Sequence, residues 1–185
     1  MLKIHIPETN REFYSDKLEE FVTIKCKETE IVLEHSLISI SKWEAKYHKP
    51  FLSNTVPKTD VEMRDYIRFM SLTSNIDPNV YLVIPNSELE RIAKYIEDPQ
   101  SATTFSDQKN GKTSREIITS ELIYYWMVAL QIPFECQKWH INRLLTLIKI
   151  CNIKNQPGKK MSPKDVMAQN RALNASRRAR LHSRG

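Results

Sequence analysis

The chain opens on a period of two. Leu2, Ile4 and Ile6 are separated by polar residues, the pattern of a strand with one buried face. Phe21-Val22-Thr23-Ile24 and Ile31-Val32-Leu33 are rich in strand formers, which predicts strands near 2–6, 20–26 and 29–34. Three short strands with one apolar face form a small antiparallel sheet that gains stability by packing on a helix.

Beyond the strands the period lengthens to that of a helix. Ser or Thr followed three residues later by Glu is the sequence mark of a reciprocal N-terminal cap. The pattern occurs at Ser41/Glu44, Thr59/Glu62, Ser87/Glu90 and Thr113/Glu116, and Ser162/Asp165 is a variant with Pro163 suited to the first helical position. Prolines at 50, 57, 78, 85, 99, 133, 157 and 163 fall between the proposed segments. Caps and breakers together predict helices over 37–48, 60–73, 87–97, 114–130, 135–151 and 163–181.

Two of these are expected to form the core. Ile117, Ile118, Leu122, Ile123, Tyr125, Trp126, Met127 and Leu130 leave few polar positions, so that helix is expected to be buried on most sides. The next carries a stripe of Ile141, Leu144, Leu145, Ile148 and Cys151. The link Gln131-Ile132-Pro133-Phe134 is short enough to fold the two into an antiparallel hairpin, with Leu122, Trp126, Leu145 and Ile148 inside. Thr103 to Lys112 reads as an exposed loop. The fold class predicted is mainly α, a helical domain with a small N-terminal antiparallel β-sheet and a basic C-terminal helical arm.

Charge sets the domain organisation. Of the formal +6, residues 154–185 carry nine Lys or Arg against the single acid Asp165, a net of +8. Residues 1–153 hold the other 19 basic and 21 acidic residues, a net of −2. The expected division is therefore a near-neutral globular domain over 1–156 and a basic arm over 157–185. Such an arm suits nucleic acid, an acidic protein surface, or solubility alone. It has no aromatic residue on which single-stranded bases would stack.

Composition narrows the chemistry. The hydrophobic share of 41% is below the usual ~45–50% but enough for a compact core. No targeting segment is visible, and no run approaches the ~18 apolar residues of a membrane span. Cys26, Cys136 and Cys151 form an odd, widely spaced set that suits free thiols in a reducing cytosol. Only Gly111, Gly158 and Gly185 are present, too few for a dinucleotide-binding fold, which needs glycine where backbone meets phosphate.

Ser106-Asp-Gln-Lys-Asn-Gly111-Lys112-Thr113 matches the phosphate-binding GxxxxGK[ST] loop except at its first glycine, and no good buried strand precedes it. A loop running into a helix cap is the expected reading. Cys136 and His140 stand one helical turn apart, but no second pair has zinc-ligand spacing. The chain is expected to be no enzyme and to hold no cofactor and no metal. Trp43, Trp126, Trp139 and Tyr124-Tyr125-Trp126 read as core or interface aromatics.

Several of these segments together resemble a known family. They are Leu33-Glu-His-Ser-Leu-Ile-Ser-Ile-Ser-Lys-Trp-Glu44, Lys49-Pro-Phe-Leu52, Ala102-Thr-Thr-Phe105, Tyr124-Tyr-Trp-Met127, Ile132-Pro-Phe-Glu-Cys-Gln-Lys-Trp-His140 and Arg143-Leu-Leu-Thr-Leu147. Asn152-Ile-Lys-Asn155, Lys159-Lys-Met-Ser162 and Asn170-Arg-Ala-Leu-Asn174 extend the likeness, which runs from about residue 31 onward. The chain is similar to the tail assembly chaperones encoded near the tape measure gene of long-tailed bacteriophages. The resemblance implies a non-enzymatic factor in the host cell cytoplasm that binds the tape measure protein and helps recruit tail-tube subunits. It leaves open a homo-oligomer and a longer frameshifted form. On this reading the partner-facing residues are Trp43, Trp139, Arg143 and, in the arm, Lys159, Lys160, Arg171, Arg177, Arg178 and Arg180. The rival expectations are a head–tail connector-like virion component and a nucleic-acid-binding protein, each placing the arm on DNA.

Overall fold

The computed structural model describes residues 1–15, 19–53, 55–105, 117–155 and 163–181. The chain is mainly α-helical with antiparallel β-structure at its N-terminus. It divides into two compact units, Met1–Ile150 and Cys151–Gly185. The expected 156/157 junction follows the charge, whereas this boundary falls inside a helix.

Among the described residues there are four strands where three were expected: β1 (Leu2–Ile6), β2 (Thr9–Ser15), β3 (Glu20–Cys26) and β4 (Thr29–Leu33). They pair as two antiparallel ladders, β1 with β4 and β2 with β3. The register does not slip between them. Ile6 faces Thr29, and three residues further along one strand and three back along the other, Thr9 faces Cys26. The two ladders are thus halves of one long ribbon, interrupted where Pro7 lacks the N–H a ladder needs. Thr9 and Thr29 hydroxyls donate to the carbonyls of Pro7 and Lys27 at 2.9 and 2.8 Å, satisfying backbone groups at the gap.

The inner half of the ribbon turns Ile4, Ile6, Ile31 and Leu33 into the core, while Glu12, Glu20, Thr23 and Lys25 in the outer half are exposed. The free edge of β4 is covered by the segment after the second helix. Leu72 N–H donates to the Val32 carbonyl at 2.8 Å, Glu34 N–H to Met70 at 2.9 Å, and Val32 N–H to Thr73 Oγ1 at 3.0 Å. An edge closed in this way is no template for further pairing.

Helix α1 (Leu37–Tyr47) begins at Ser36, whose side chain accepts from Ser39 N–H, and buries Leu37, Ile40, Trp43 and Glu44 along one stripe. Helix α2 (Asp60–Met70) opens on the predicted reciprocal cap. Thr59 accepts from Glu62 N–H at 3.3 Å, and Glu62 Oε2 accepts from Thr59 N–H at 2.8 Å. The Ser41/Glu44 and Ser87/Glu90 pairs lie inside helices and cap nothing. Tyr66, Ile67 and Met70 of α2 pack on α1, and the Phe51 ring stacks on Tyr66 with centroids 3.8 Å apart.

A 3-10 turn (Pro78–Leu82) leads to α3 (Asn86–Glu97), which buries Ile92 and lies along β1, where Arg91 donates to the Lys3 carbonyl at 3.1 Å. Helix α4 (Ser120–Ala129) starts on its Thr119 cap, later than predicted, and α5 (Ile141–Asn155) starts after a second 3-10 turn (Phe134–Lys138). Both α4 and that turn pack against α1. Even so, α4 is not buried on most sides. Ile123 and Met127 are inside, Leu122 and Trp126 are half-buried, and Tyr125 and Val128 are exposed. On α5 the buried stripe is Ile141, Leu144 and Ile148, with Leu145 half-buried.

In the second unit, α6 (Pro163–Leu181) has the predicted bounds. Side chains from Met167 to Arg178, and Arg180, are exposed. No apolar stripe organises this helix, consistent with its polar and basic sequence.

Candidate functional site

The site with the most concentrated polar chemistry lies where the β4–α1 junction meets the start of α5. Ile141 N–H donates to the His35 carbonyl at 2.7 Å, and Ser36 and His140 form an isolated antiparallel bridge. The two histidine rings meet edge to face with centroids 5.0 Å apart. His35 Nδ1 is hydrogen-bonded to the Tyr66 hydroxyl. His140 Nε2 donates to the Tyr95 carbonyl at 2.9 Å, while its Nδ1 accepts from Asn142 N–H at 3.3 Å, which assigns the proton to Nε2. The Tyr95 hydroxyl in turn donates to Glu34 Oε1 at 2.7 Å.

Both imidazoles are held neutral. Burial, and then the nearby His140, pushes the His35 pKa down from 6.5 to about 3. Burial also lowers His140, against the opposing pull of the Tyr95 carbonyl, Glu34 and Asp98. Burial raises both phenols, Tyr66 with help from Glu44 and Glu34, Tyr95 with help from its bond to Glu34. These four groups remain uncharged hydrogen-bonding groups at neutral pH and form one connected frame.

This frame holds the residues on either side of His140. Trp139 is half-buried, and the Arg143 guanidinium, one helical turn on, lies over its indole at 4.4 Å from the ring centroid. They line a cleft of about 270 Å³ together with Glu34, Tyr95, Gln100, Lys138 and His140. Trp139 and Arg143, two of the residues expected to face a partner, are thus brought together. Tyr95, Gln100 and Lys138 join them unforeseen; Lys138 is next to Trp139 in the chain, but no sequence signal links Tyr95 and Gln100 to it.

Trp43 requires a correction. It is wholly buried, its indole N–H donates to the Glu62 carbonyl at 2.8 Å, and its ring packs against Tyr47 and Phe51. The helical period that puts Leu37 and Ile40 in the core puts Trp43 there too, so it faces no partner in this fold. Beside it, Glu44 is also buried, accepting from Phe51 N–H at 2.8 Å and Ser120 N–H at 2.7 Å, and so ties α4 to α1.

In the arm, Arg171, Arg177, Arg178 and Arg180 are exposed, while Lys159 and Lys160 lie outside the described residues, as does the whole Ser106–Thr113 loop. Cys136 and His140 are buried, and all three cysteines are free thiols. Among the described residues no group of three His, Cys, Asp or Glu side chains is placed to hold a metal ion, and no helix is long and apolar enough to cross a membrane. Tyr125 and Val128 of α4 are exposed, as are Ile118 before the helix and Phe134 after it. No family model, curated protein or solved structure matches the chain.

Proposed function

We propose that this protein is a non-enzymatic assembly chaperone of the tailed-phage type, which binds the tape measure protein in the host cytoplasm and helps recruit tail-tube subunits. The observation that carries the reading is the separation of charge. A body with a net of −2 over residues 1–153 is joined to a helix whose arginines at 171, 177, 178 and 180 are exposed. The described side chains of this helix, Met167 to Arg178 and Arg180, are exposed and so available to a partner, and their charge suits an acidic one. The family resemblance of the segments around Trp43, Trp139 and Asn170 supplies the identity of that partner. Trp139 and Arg143 offer a second contact, because an aromatic ring and an arginine are the side chains that most often anchor interfaces.

The same exposed arginines favour one rival, a structural virion component that lays the arm along DNA. Reversing Arg171, Arg177, Arg178 and Arg180 to Glu in the full chain separates the two. Under the chaperone reading the variant loses capture of tape measure fragments, and the parent chain binds duplex DNA weakly at physiological salt. Tight duplex binding, falling with salt at a log–log slope near −0.9 per phosphate neutralised, with no capture of tape measure fragments, refutes the chaperone reading in favour of the rival.

A further inference from the structure

We propose that the cleft beside Trp139 is a carboxylate seat, taking an Asp or Glu side chain of an acidic protein segment with Arg143 as its fork. The proposal rests on the partner-binding reading above and names the chemistry of one contact. Arg143 is exposed, and its guanidinium is stacked over the Trp139 ring, which restrains the plane of its donors before any ligand arrives. Among the described residues, no carboxylate pairs with Arg143 or with Lys138. The ion pairs there join Met1 to Glu34, His5 to Glu28, Lys46 to Asp65, Lys49 to Glu62 and Arg91 to Glu88. The one acid lining the cleft, Glu34, is already engaged, by the Tyr95 hydroxyl at 2.7 Å and the Met1 amino group at 2.9 Å. Two cations at a preformed cleft are thus left without a counter-charge.

The chemistry of the lining selects among anions. A planar, two-oxygen carboxylate matches the guanidinium fork. Arginine can also fork a phosphate, so inorganic phosphate is set against the carboxylate in the titration. At about 270 Å³ the cleft is smaller than the ~300–1,000 Å³ of a typical small-molecule pocket. It has room for one protruding side chain. His140 and the His35–Ile141 backbone bond anchor the turn that carries Trp139, so the seat is formed without a ligand.

The test is a titration of the full-length, ¹⁵N-labelled protein with an acetylated, amidated peptide of Glu alternating with Ser, followed at the Trp139 indole N–H. That resonance is assigned by its loss in Trp139→Phe, and it reports the cleft separately from any peptide held by the basic arm. Saturable shifts with the Glu peptide, and none with the matching Gln peptide, are expected. Arg143→Ala should weaken the affinity read at the indole about ten-fold or more, the ordinary effect of losing a charge-assisted hydrogen bond. Arg143→Lys should recover only part of it, and thermal melts of both variants should match the parent. Three results each overturn the proposal: equal affinity in Arg143→Ala, full recovery by Lys, or equal saturation by inorganic phosphate or duplex DNA. Capture of tape measure fragments that survives any of these, and still fails in the four-arginine arm variant, leaves the chaperone reading standing without the seat.

Discussion

Acid should begin to destabilise the body through His35 before Glu62 and Asp65 are protonated. His35 is buried among the Tyr66 hydroxyl, the Phe51 ring and His140, and the buried acids Glu34 and Glu44, which act on Tyr66, are each hydrogen-bonded elsewhere. Its pKa is about 3 in the fold against 6.5 for the free side chain. The unfolded chain therefore takes up a proton that the folded one refuses, and stability must fall as pH drops through the interval between the two values. At about 1.36 kcal/mol per unit, the loss from this residue is roughly 2 kcal/mol by about pH 5 and approaches ~5 kcal/mol near pH 3. His140 shifts in the same direction and adds to it.

The carboxylates titrate in a lower window. Glu62 is held below its usual 4.5 by its bond to Lys49 and by the Thr59 N–H. Burial raises Asp65, but its bonds to Lys46 and Tyr47 outweigh that and leave it below 3.8. Groups with depressed acid pKa values lose their contribution only as pH falls through those values, so the interval from about pH 6.5 to 5 reports the histidines. Urea unfolding of the intact chain at steps across that interval gives the slope. His35→Asn should be less stable at pH 7 but lose clearly less stability than the parent on acidification. A parent protein whose unfolding free energy changes by under about 0.5 kcal/mol between pH 7 and 5 would refute the argument, since even one buried neutral imidazole demands more.

The other predictions concern packing and are read by the same urea melts. Trp43→Ala should cost about 3–5 kcal/mol, and Trp139→Ala under about 1 kcal/mol, because only the first empties a filled core position. Leu144→Ala should cost about 2–5 kcal/mol and Leu145→Ala distinctly less; the reverse order would mean that α5 is rotated from the phase described here. Glu44→Ala should cost at least ~2 kcal/mol, because the Phe51 and Ser120 N–H groups lose their acceptor inside the protein.

Much of the fold was legible where neighbouring residues carry the signal. The β1 and β3 bounds follow from strand-forming runs and the start of α2 from its Thr59/Glu62 cap; α1 begins at the predicted residue, but on Ser36 and not on the predicted Ser41 pair. What was not legible depends on contacts distant in sequence. Strand β2, Thr-Asn-Arg-Glu-Phe-Tyr-Ser, opens on four polar residues and carries no alternation; it is a strand because β3 pairs with it in the register already set by β1 and β4. Helix α4 is so apolar that burial on most sides seemed required, yet it docks only one face on α1 and leaves Tyr125 and Val128 in water. Helix α5 starts at Ile141 instead of Glu135 because Pro133 opens a 3-10 turn and the Ile141 N–H is taken by His35.

The candidate site divides along the same line. Arginines 171, 177, 178 and 180 could be placed on the surface from charge density and the lack of an apolar stripe, which are properties of the local sequence. Trp43 could not, because tryptophan is enriched both in cores and at interfaces, and only helical phase decides between them. Trp139 and Arg143 fall in between. Their spacing of one helical turn permits a stack, but whether the stack has a function depends on what stands opposite it. Opposite it are Tyr95 and Glu34, brought there by the β4–α1 junction and α3. The two proposed contacts therefore differ in kind. An arm that attracts by charge density has no geometry that distinguishes one basic side chain from another, so on that reading salt should weaken it and Lys should stand in for Arg. The proposed seat would act through one guanidinium restrained on an indole, beside a neutral histidine frame, and for that contact the shape of the cation should matter as much as its charge.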